Sequence, residues 1–358
     1  MIDNQVVEHI DNIDKLFEPS CYLINPFRTD DKFVNGNYFL NGQQEQFKSN
    51  ILSKKFKKYR ITGKPGTGKS LLTYDIAKEF MNEGQIVSII HAGKLNRGHE
   101  YLNDNHNWKI YPALDLKEDR FSLKLNPDVI IIDEAQRLYV EQFKKVEQHI
   151  EDSDKEVTLI ISYDVEQILA DWESETCLSG ILKLPDRFSE YKTFELKTKI
   201  RTNPELSKFI QGMFDLRKMQ NVTSLDNIAI QYFQTYNDAH SFAKRLGEEN
   251  WKIIDYTVPM WNDKGIGDMA IGDSEEKVHQ VIGQEFDKVI AIVGKDFYYE
   301  DEKFLRYSNK NYYDAQKMLY QIITRVRKNL MLIIVDNEEL LGHLISSMLI
   351  NLKETQGE

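Results

Sequence analysis

Tyr59-Arg-Ile-Thr-Gly-Lys-Pro-Gly-Thr-Gly-Lys-Ser70 reads as a short strand running into a glycine-rich loop. Gly63, Gly68, Lys69 and Ser70 fit the spacing G-x-x-x-x-G-K-[ST], with Lys64, Pro65, Gly66 and Thr67 filling the interval. The spacing has a chemical reason. Glycines let successive backbone N–H groups curl around phosphate oxygens, and the lysine brings a point charge to the β- and γ-phosphates. The serine hydroxyl suits a Mg2+ ligand position, and the phosphates meet the positive end of the following helix. Leu72, Ile76 and Phe80 recur at helical spacing and Gly84 is placed to end that helix. Strand, loop and helix thus occur in the order required to bind a nucleoside triphosphate.

A second stretch completes the chemistry. In Pro127-Asp-Val-Ile-Ile-Ile-Asp133-Glu134-Ala-Gln136, residues Val129 to Ile132 form a continuous apolar run, as in parallel strands buried on both faces. Two carboxylates follow at the carboxyl end of that strand, where open α/β sheets hold ligands. Asp133 is expected to hold Mg2+ and Glu134 to polarise the attacking water as general base. Further strands are expected at Gln85–His91, Val157–Ser162 and Tyr191–Leu196. A second series follows at Ile228–Phe233, Lys252–Tyr256, Val289–Val293 and Leu330–Val335, with helices at Asp238–Glu249 and Tyr312–Thr324. The alternation predicts an α/β fold with parallel, helix-flanked sheets in two halves, only the first carrying a phosphate loop.

Composition bounds the rest. The chain has 358 residues, 41% hydrophobic and 29% charged, which suits two globular domains. No apolar run approaches the roughly 20 residues that cross a bilayer, so no membrane role is expected. Met1-Ile-Asp-Asn-Gln lacks the basic and apolar regions of a signal peptide, and two cysteines, Cys21 and Cys177, build neither a disulfide framework nor a zinc cluster. A cytoplasmic setting is expected. The net charge of −11 argues against a generally sticky nucleic-acid coat but leaves room for a local basic groove. Lys54, Lys55, Lys57, Lys58 and Arg60 form one basic cluster just before the loop. Amphipathic stripes stand at both ends. Val6, Ile10, Ile13 and Phe17 are open to packing or to a partner, while Leu341, Leu344, Ile345, Met348 and Leu352 are expected to pack on the second half.

The motifs together resemble the motor core of superfamily-1 helicases, two RecA-like domains closing on ATP, over roughly residues 40 to 335. Within that superfamily the chain looks most like the compact bacterial helicase-like ATPases of the Schlafen group. Leu40-Asn-Gly-Gln-Gln44 is similar to the segment whose glutamine reads adenine, which implies Gln44, with Gln43 or Gln46 as neighbours that could serve. Asp133-Glu-Ala-Gln136 resembles the second family motif. Tyr163-Asp-Val-Glu-Gln167 resembles the third, G-D-x-x-Q, with Tyr163 in place of the glycine and Gln167 implied as γ-phosphate sensor. Leu196-Lys-Thr-Lys-Ile-Arg201-Thr-Asn-Pro-Glu-Leu206 resembles the segment opening the second domain and implies Arg201 as one arginine finger. His279-Gln-Val-Ile-Gly-Gln-Glu285-Phe-Asp287 resembles the motif whose glutamate meets the ribose, implying Glu285, although Lys277 and Ile282 stand where threonine and lysine are usual. Tyr320-Gln-Ile-Ile-Thr-Arg325-Val-Arg-Lys-Asn-Leu330 resembles the motif carrying a second arginine finger, Arg325.

The resemblance implies an extension over 1–39, a first RecA-like domain over 40–195 and a second over 196–358. It also implies ATP and Mg2+ as cofactors. His91 and Asp133 lie 42 positions apart, and Arg201 and His279 lie 78 apart, which leaves no room for large accessory domains. Three functions follow. The first is a minimal translocase or remodeller on DNA or RNA, single-stranded at the contact. The second is an ATP-driven switch for a partner protein, such as a nuclease or toxin of a defence system. The third, a small kinase, needs no second RecA-like half, so the motifs around Arg201 and Arg325 weigh against it. Between the first two the sequence does not decide; the first is taken as the leading reading and the partner switch as its alternative.

Overall fold

A computed structural model describes residues 24–27, 31–116, 126–164, 167–169, 173–182, 188–197, 204–222, 224–258, 265–272, 277–279, 281 and 284–356. The N-terminal stripe Val6, Ile10, Ile13 and Phe17 lies outside these residues, as does Arg201.

The first half is built on a parallel sheet of β1 (Lys58–Gly63), β2 (Val87–His91), β3 (Ile110–Pro112), β4 (Val129–Asp133), β5 (Thr158–Tyr163) and β6 (Lys192–Leu196). Their order is β3-β2-β4-β5-β1-β6. Helices α1 (Gly42–Leu52), α2 (Lys69–Asn82), α3 (Arg97–His106) and α4 (Val140–Glu151) accompany it. The apolar run in β4 is explained by its two faces. Val129 and Ile131 pack with Ile61, Ile89 and Phe80 on one side of the sheet. Ile130 and Ile132 pack with Ile90, Leu159, Ile161 and Phe143 on the other. Each such fully buried side chain contributes about 1.5–3 kcal/mol of apolar transfer free energy. Because the strands are parallel, their carboxyl ends fall on one edge. His91 pairs with Asp133, Thr62 with Tyr163, and Gly63 with Leu196.

The second half is built on a parallel sheet ordered β7-β12-β9-β8, from β7 (Ile228–Phe233), β8 (Lys252–Ile253), β9 (Phe286–Val293) and β12 (Val326–Val335). An antiparallel hairpin of β10 (Phe297–Glu300) and β11 (Phe304–Tyr307) follows β9. Helices α5 (Pro204–Phe214), α6 (Tyr236–Glu248), α7 (Ala315–Ile323) and α8 (Glu338–Gln356) complete it. Both halves therefore have the expected α/β class, with RecA-like parallel sheets flanked by helices. In α8, Leu344 is buried and Leu341 and Met348 pack on the second core, as the C-terminal stripe predicts, whereas Ile345 is exposed. Leu352 lies in the same helix, but its side chain is outside the described residues.

One helix is not among the expected elements, and two expected elements have other bounds. The polar segment before β1 is the helix α1, started by a capping box in which Asn41 and Gln44 each accept from the other's backbone N–H. The strand expected to Tyr256 stops at Ile253, because the Asp255 carboxylate is drawn aside to the N–H groups of Ile271 and Gly272 (2.8 and 2.9 Å). The helix expected from Tyr312 begins at Ala315, where the Asp314 side chain caps it by accepting from the Lys317 N–H.

The two halves meet through Leu169. This residue follows β5, yet its side chain belongs to the second half's core, among residues such as Leu319 and Ile322. Its N–H donates to Glu173 Oε2 (2.6 Å) and its carbonyl accepts from the Asp314 N–H (2.9 Å). Leu169→Ala is expected to cost about 2–5 kcal/mol, the range for a buried leucine truncation. A fall in the urea midpoint at unchanged slope would register it; an unchanged midpoint would mean that the contact does not hold the halves together.

Candidate active site

The loop between β1 and α2 takes its shape from its glycines. A side chain at Gly63 would place a Cβ 2.7 Å from Thr67 Oγ1 and 2.8 Å from the Leu196 carbonyl oxygen, so strand β6 and the loop close around that position. Gly66 and Gly68 have φ of 77° and 82°, the left-handed region that glycine enters without steric cost. The Thr67 hydroxyl donates to the Lys64 carbonyl (2.9 Å), fixing the turn that carries Pro65. Gly68 is the N-cap of α2 and supplies no side-chain acceptor, so the helix presents its leading N–H groups uncapped. An anion is favoured there by both the free donors and the helix dipole.

A continuous chain of buried contacts crosses the sheet edge from this loop. Lys69 Nζ donates to the carbonyls of Gly63 (2.6 Å) and Lys64 (3.2 Å) and to Asp164 Oδ2 (3.3 Å). Both charged side chains are nearly sealed, at 8% and 3% exposure. The Asp164 N–H donates to Gln136 Oε1 (3.0 Å), and Gln136 Nε2 donates to Glu134 Oε2 (2.6 Å). Glu134 is buried with φ 57°, a left-handed conformation that costs a non-glycine residue of order 1 kcal/mol. Burial foremost, and then the Asp133 charge, hold its carboxyl above the usual range; Lys69 and the Gln136 hydrogen bond pull the other way.

Asp133 ends β4. Its Oδ1 accepts from Ser162 Oγ (2.6 Å), and its Oδ2 lies 3.4 Å from His91 Nδ1. Oδ2 is buried with no hydrogen-bond partner among the described residues, and a buried anionic oxygen left over in this way suits a cation. Ser70, in the first turn of α2, is also buried. These two residues fit a Mg2+ carried in with phosphates. Among the described residues no three His, Cys, Asp or Glu side chains group as a metal site of their own. Gln167 is buried too; its N–H donates to the Asp164 carbonyl (3.1 Å), and its Oε1 has no partner among the described residues.

Gln44, implied by the resemblance as adenine reader, sets its side-chain amide against the phosphate loop. It is fully buried, and its Nε2 reaches the carbonyls of Thr67 (3.4 Å) and Gly68 (3.3 Å) while its Oε1 accepts from Asn41. Both ends of the amide are spent on backbone, so Gln44 braces the phosphate loop against α1. Its neighbour Gln43 donates to the Glu195 carbonyl (3.1 Å) and accepts from the Lys197 N–H (3.3 Å); Gln46 is exposed.

The second half brings Arg325, buried between α7 and β12. Its Nε donates to the Gln321 carbonyl and its Nη1 to the Gln284 carbonyl, each at 3.3 Å. Burial lowers the guanidinium pKa, opposed by the carboxylates of Glu285, Glu134 and Asp164 in that order. Two of those three belong to the phosphate-loop edge, so Arg325 sits in the field of the first half's acids. Glu285, half-buried beside it, is the largest of these influences. The inventory missed in the sequence comprises His91, Ser162, Asp164 and Gln136. The last two lie inside the quoted motifs and could have been assigned from them.

A phosphate loop on one parallel sheet, facing an arginine from a second, defines a P-loop protein of RecA-like architecture. More specifically, residues 57–253 match the Schlafen group 3, DNA/RNA helicase domain, and the chain belongs to that family. No curated protein matches it. Similar solved structures include the Pif1 helicase from Candida albicans, at 12% identity and TM-score 0.49, covering 86% of this chain and 99% of that one. Unliganded Pif1 from Bacteroides sp aligns at 13% identity and TM-score 0.40, over 89% and 98% of the two chains. A structure of Pif1 helicases on DNA unwinding at forked double-stranded DNA aligns at 12% identity and TM-score 0.46, again over 89% and 98%. No helix among the described residues is long and apolar enough to cross a membrane.

His279 gives the stability of the fold a pH dependence. Its Nδ1 lies 2.6 Å from Thr257 Oγ1 and its ring packs edge-on against Tyr313. Burial and the charge of Arg137 push its pKa down to about 3. The unfolded chain takes up that proton near pH 6.5 while the folded chain does not, so stability is intact above pH 6.5 and lost as pH falls below it. His279→Gln should therefore narrow the loss of unfolding midpoint between pH 7 and pH 5. The cost relieved is at most about 1.4 kcal/mol per pH unit. Parallel pH profiles for variant and wild type would contradict the assignment.

Proposed function

We propose that the chain is an ATP hydrolase of the superfamily-1 helicase type that works on DNA or RNA as a minimal translocase or remodeller. What carries this reading is the unbroken line of buried contacts from Lys69 through Asp164 and Gln136 to Glu134, with Arg325 in the same field. In this reading Gly63, Lys64, Pro65, Gly66, Thr67 and Gly68 wrap the phosphates, and Lys69 exchanges loop carbonyls for phosphate oxygens. Ser70 and Asp133 hold Mg2+, which neutralises charge on the phosphates. Glu134 accepts the proton of the attacking water, a task suited to a carboxylate whose proton affinity burial has raised. Gln167 orients about the γ-phosphate. Arg325 and Arg201 answer the negative charge that develops on the transferred group, and Glu285 takes the ribose. We assign residues 40–195 and 196–358 to the two RecA-like domains, so that hydrolysis depends on their closure.

Phosphate contacts from single-stranded nucleic acid lying across both domains would couple to that closure, and the coupling should fade as salt rises. ATP turnover measured with and without single-stranded DNA and RNA, at two salt concentrations, tests this directly. Stimulation that weakens with salt is expected, with Lys69→Ala as the inactive blank; no stimulation by either polymer would overturn the nucleic-acid reading.

Glu134→Gln keeps the side-chain volume and removes the base. Turnover should fall about 10^2-fold or more while ATP still binds. Unchanged turnover in that variant would make Glu134 a structural residue.

A further inference from the structure

The basic cluster before the phosphate loop finds no use in ATP hydrolysis, and its placement is specific. Chain direction puts it at the end of the first sheet opposite the nucleotide. Lys58 opens β1, whereas the phosphate loop leaves β1 after Gly63. The rise of a parallel strand makes that separation about 16 Å. Lys192 opens β6 beside it, in register with Tyr59.

Lys54, Lys55, Phe56 and Lys57 are all exposed. The turn that displays them is fixed at both ends. Lys54 has φ 51° and its N–H donates to the Ile51 carbonyl (3.0 Å), while the Phe56 N–H donates to the buried Tyr59 hydroxyl (3.1 Å). Phe56 keeps 45% of its surface exposed, with the Lys192 ammonium 5.7 Å from the ring centre. Further round, Lys58 lies over Tyr191 (5.6 Å) and Arg60 over Phe188 (5.1 Å). Lys57 and Lys58 share their charge with Glu156 and Glu190. Among the described residues Lys54, Lys55 and Lys192 stand in no ion pair, although the charge of Lys54 reaches Asp128, which pairs with Lys155. A chain carrying net charge −11 thus gathers cations around one exposed aromatic ring.

We propose that this face is a second nucleic-acid contact, taking the sugar–phosphate backbone of a single strand on Lys54, Lys55, Lys57 and Lys192, with a base stacked on Phe56. The chemistry selects the partner. A single strand offers repeated charges with flat rings between them, and sequence-independent binders meet it with cations interleaved with aromatics. An anionic membrane surface would call for several apolar anchors beside the cations; among the described residues the large exposed apolar side chains at this end of the sheet are Phe56 and, before β2, Ile86. The contact is separate from the ATP site, so it tethers the polymer without entering hydrolysis and raises its effective concentration at the motor.

The test is fluorescence anisotropy of a labelled oligothymidylate with wild type, K54E/K55E/K57E and Phe56→Ala, each checked for an unchanged melting temperature. Between about 50 and 200 mM salt, the triple variant should bind about tenfold or more weakly, and its slope of log affinity against log salt should be shallower by about 2. Phe56→Ala should lose about fivefold or more, the value of one stacked base. Basal ATPase should be unchanged in both, since none of these residues touches the phosphate loop. Wild-type affinity and slope in the triple variant would overturn the proposal, as would wild type that binds phosphatidylserine vesicles but no oligonucleotide. Loss of this contact with ATPase still stimulated at saturating oligonucleotide would separate it from the motor reading, which stands or falls on that stimulation.

Discussion

The buried contact between the Lys69 ammonium and the Asp164 carboxylate is the constraint on which the rest of the site depends. An ion pair so removed from water survives only where further hydrogen bonds satisfy both charges. The loop carbonyls of Gly63 and Lys64 complete the lysine's donors, and the bond from the Asp164 backbone N–H to Gln136 fixes the residue that carries the carboxylate. The contact thereby joins three strand ends, those of β1, β4 and β5, that the parallel sheet has already brought to one edge. Gln44 braces the same loop from α1, so the phosphate cradle is supported from below and from the side before any ligand arrives.

From Asp164 the physical connection continues out of the first half. The Gln167 N–H bonds to the Asp164 carbonyl, and two residues later Leu169 enters the second half's core. Glu173 ties the same stretch to Arg137, just beyond Glu134 (3.4 Å), and the charge of Arg137 reaches His279. A change in how Lys69 is held therefore has a short packed route to the contact between the halves. Arg325 lies at the far end, buried and in the field of Glu134 and Asp164. An arginine kept charged among carboxylates of both halves suits charge stabilisation better than structure alone, since a neutral side chain would fill the same space without a desolvation cost.

The sequence made the architecture legible where the physics is local. The β4 run is apolar on both faces because each face meets its own core, and the loop glycines answer to close packing at Gly63 and to left-handed backbone angles at Gly66 and Gly68. The Asn41–Gln44 capping box was equally local, yet a polar composition disguised the helix. What the sequence could not disclose are contacts between distant positions. Lys69 and Asp164 are 95 residues apart, and the Ser162 and His91 contacts of Asp133 depend on strand order. The same holds for Gln44. Its place in a motif implied a base reader, and the contacts it makes with the loop carbonyls depend on the closeness of α1 to that loop.

The central claim is that one catalytic site is assembled from both halves. Arg325→Ala tests it most directly, with turnover and ATP affinity measured on the same protein. If the guanidinium acts on charge that develops during phosphoryl transfer, turnover should fall about 10^3-fold or more while ATP affinity shifts only a few-fold. Turnover within twofold of wild type would contradict the account, because the second half would then contribute nothing to the chemistry.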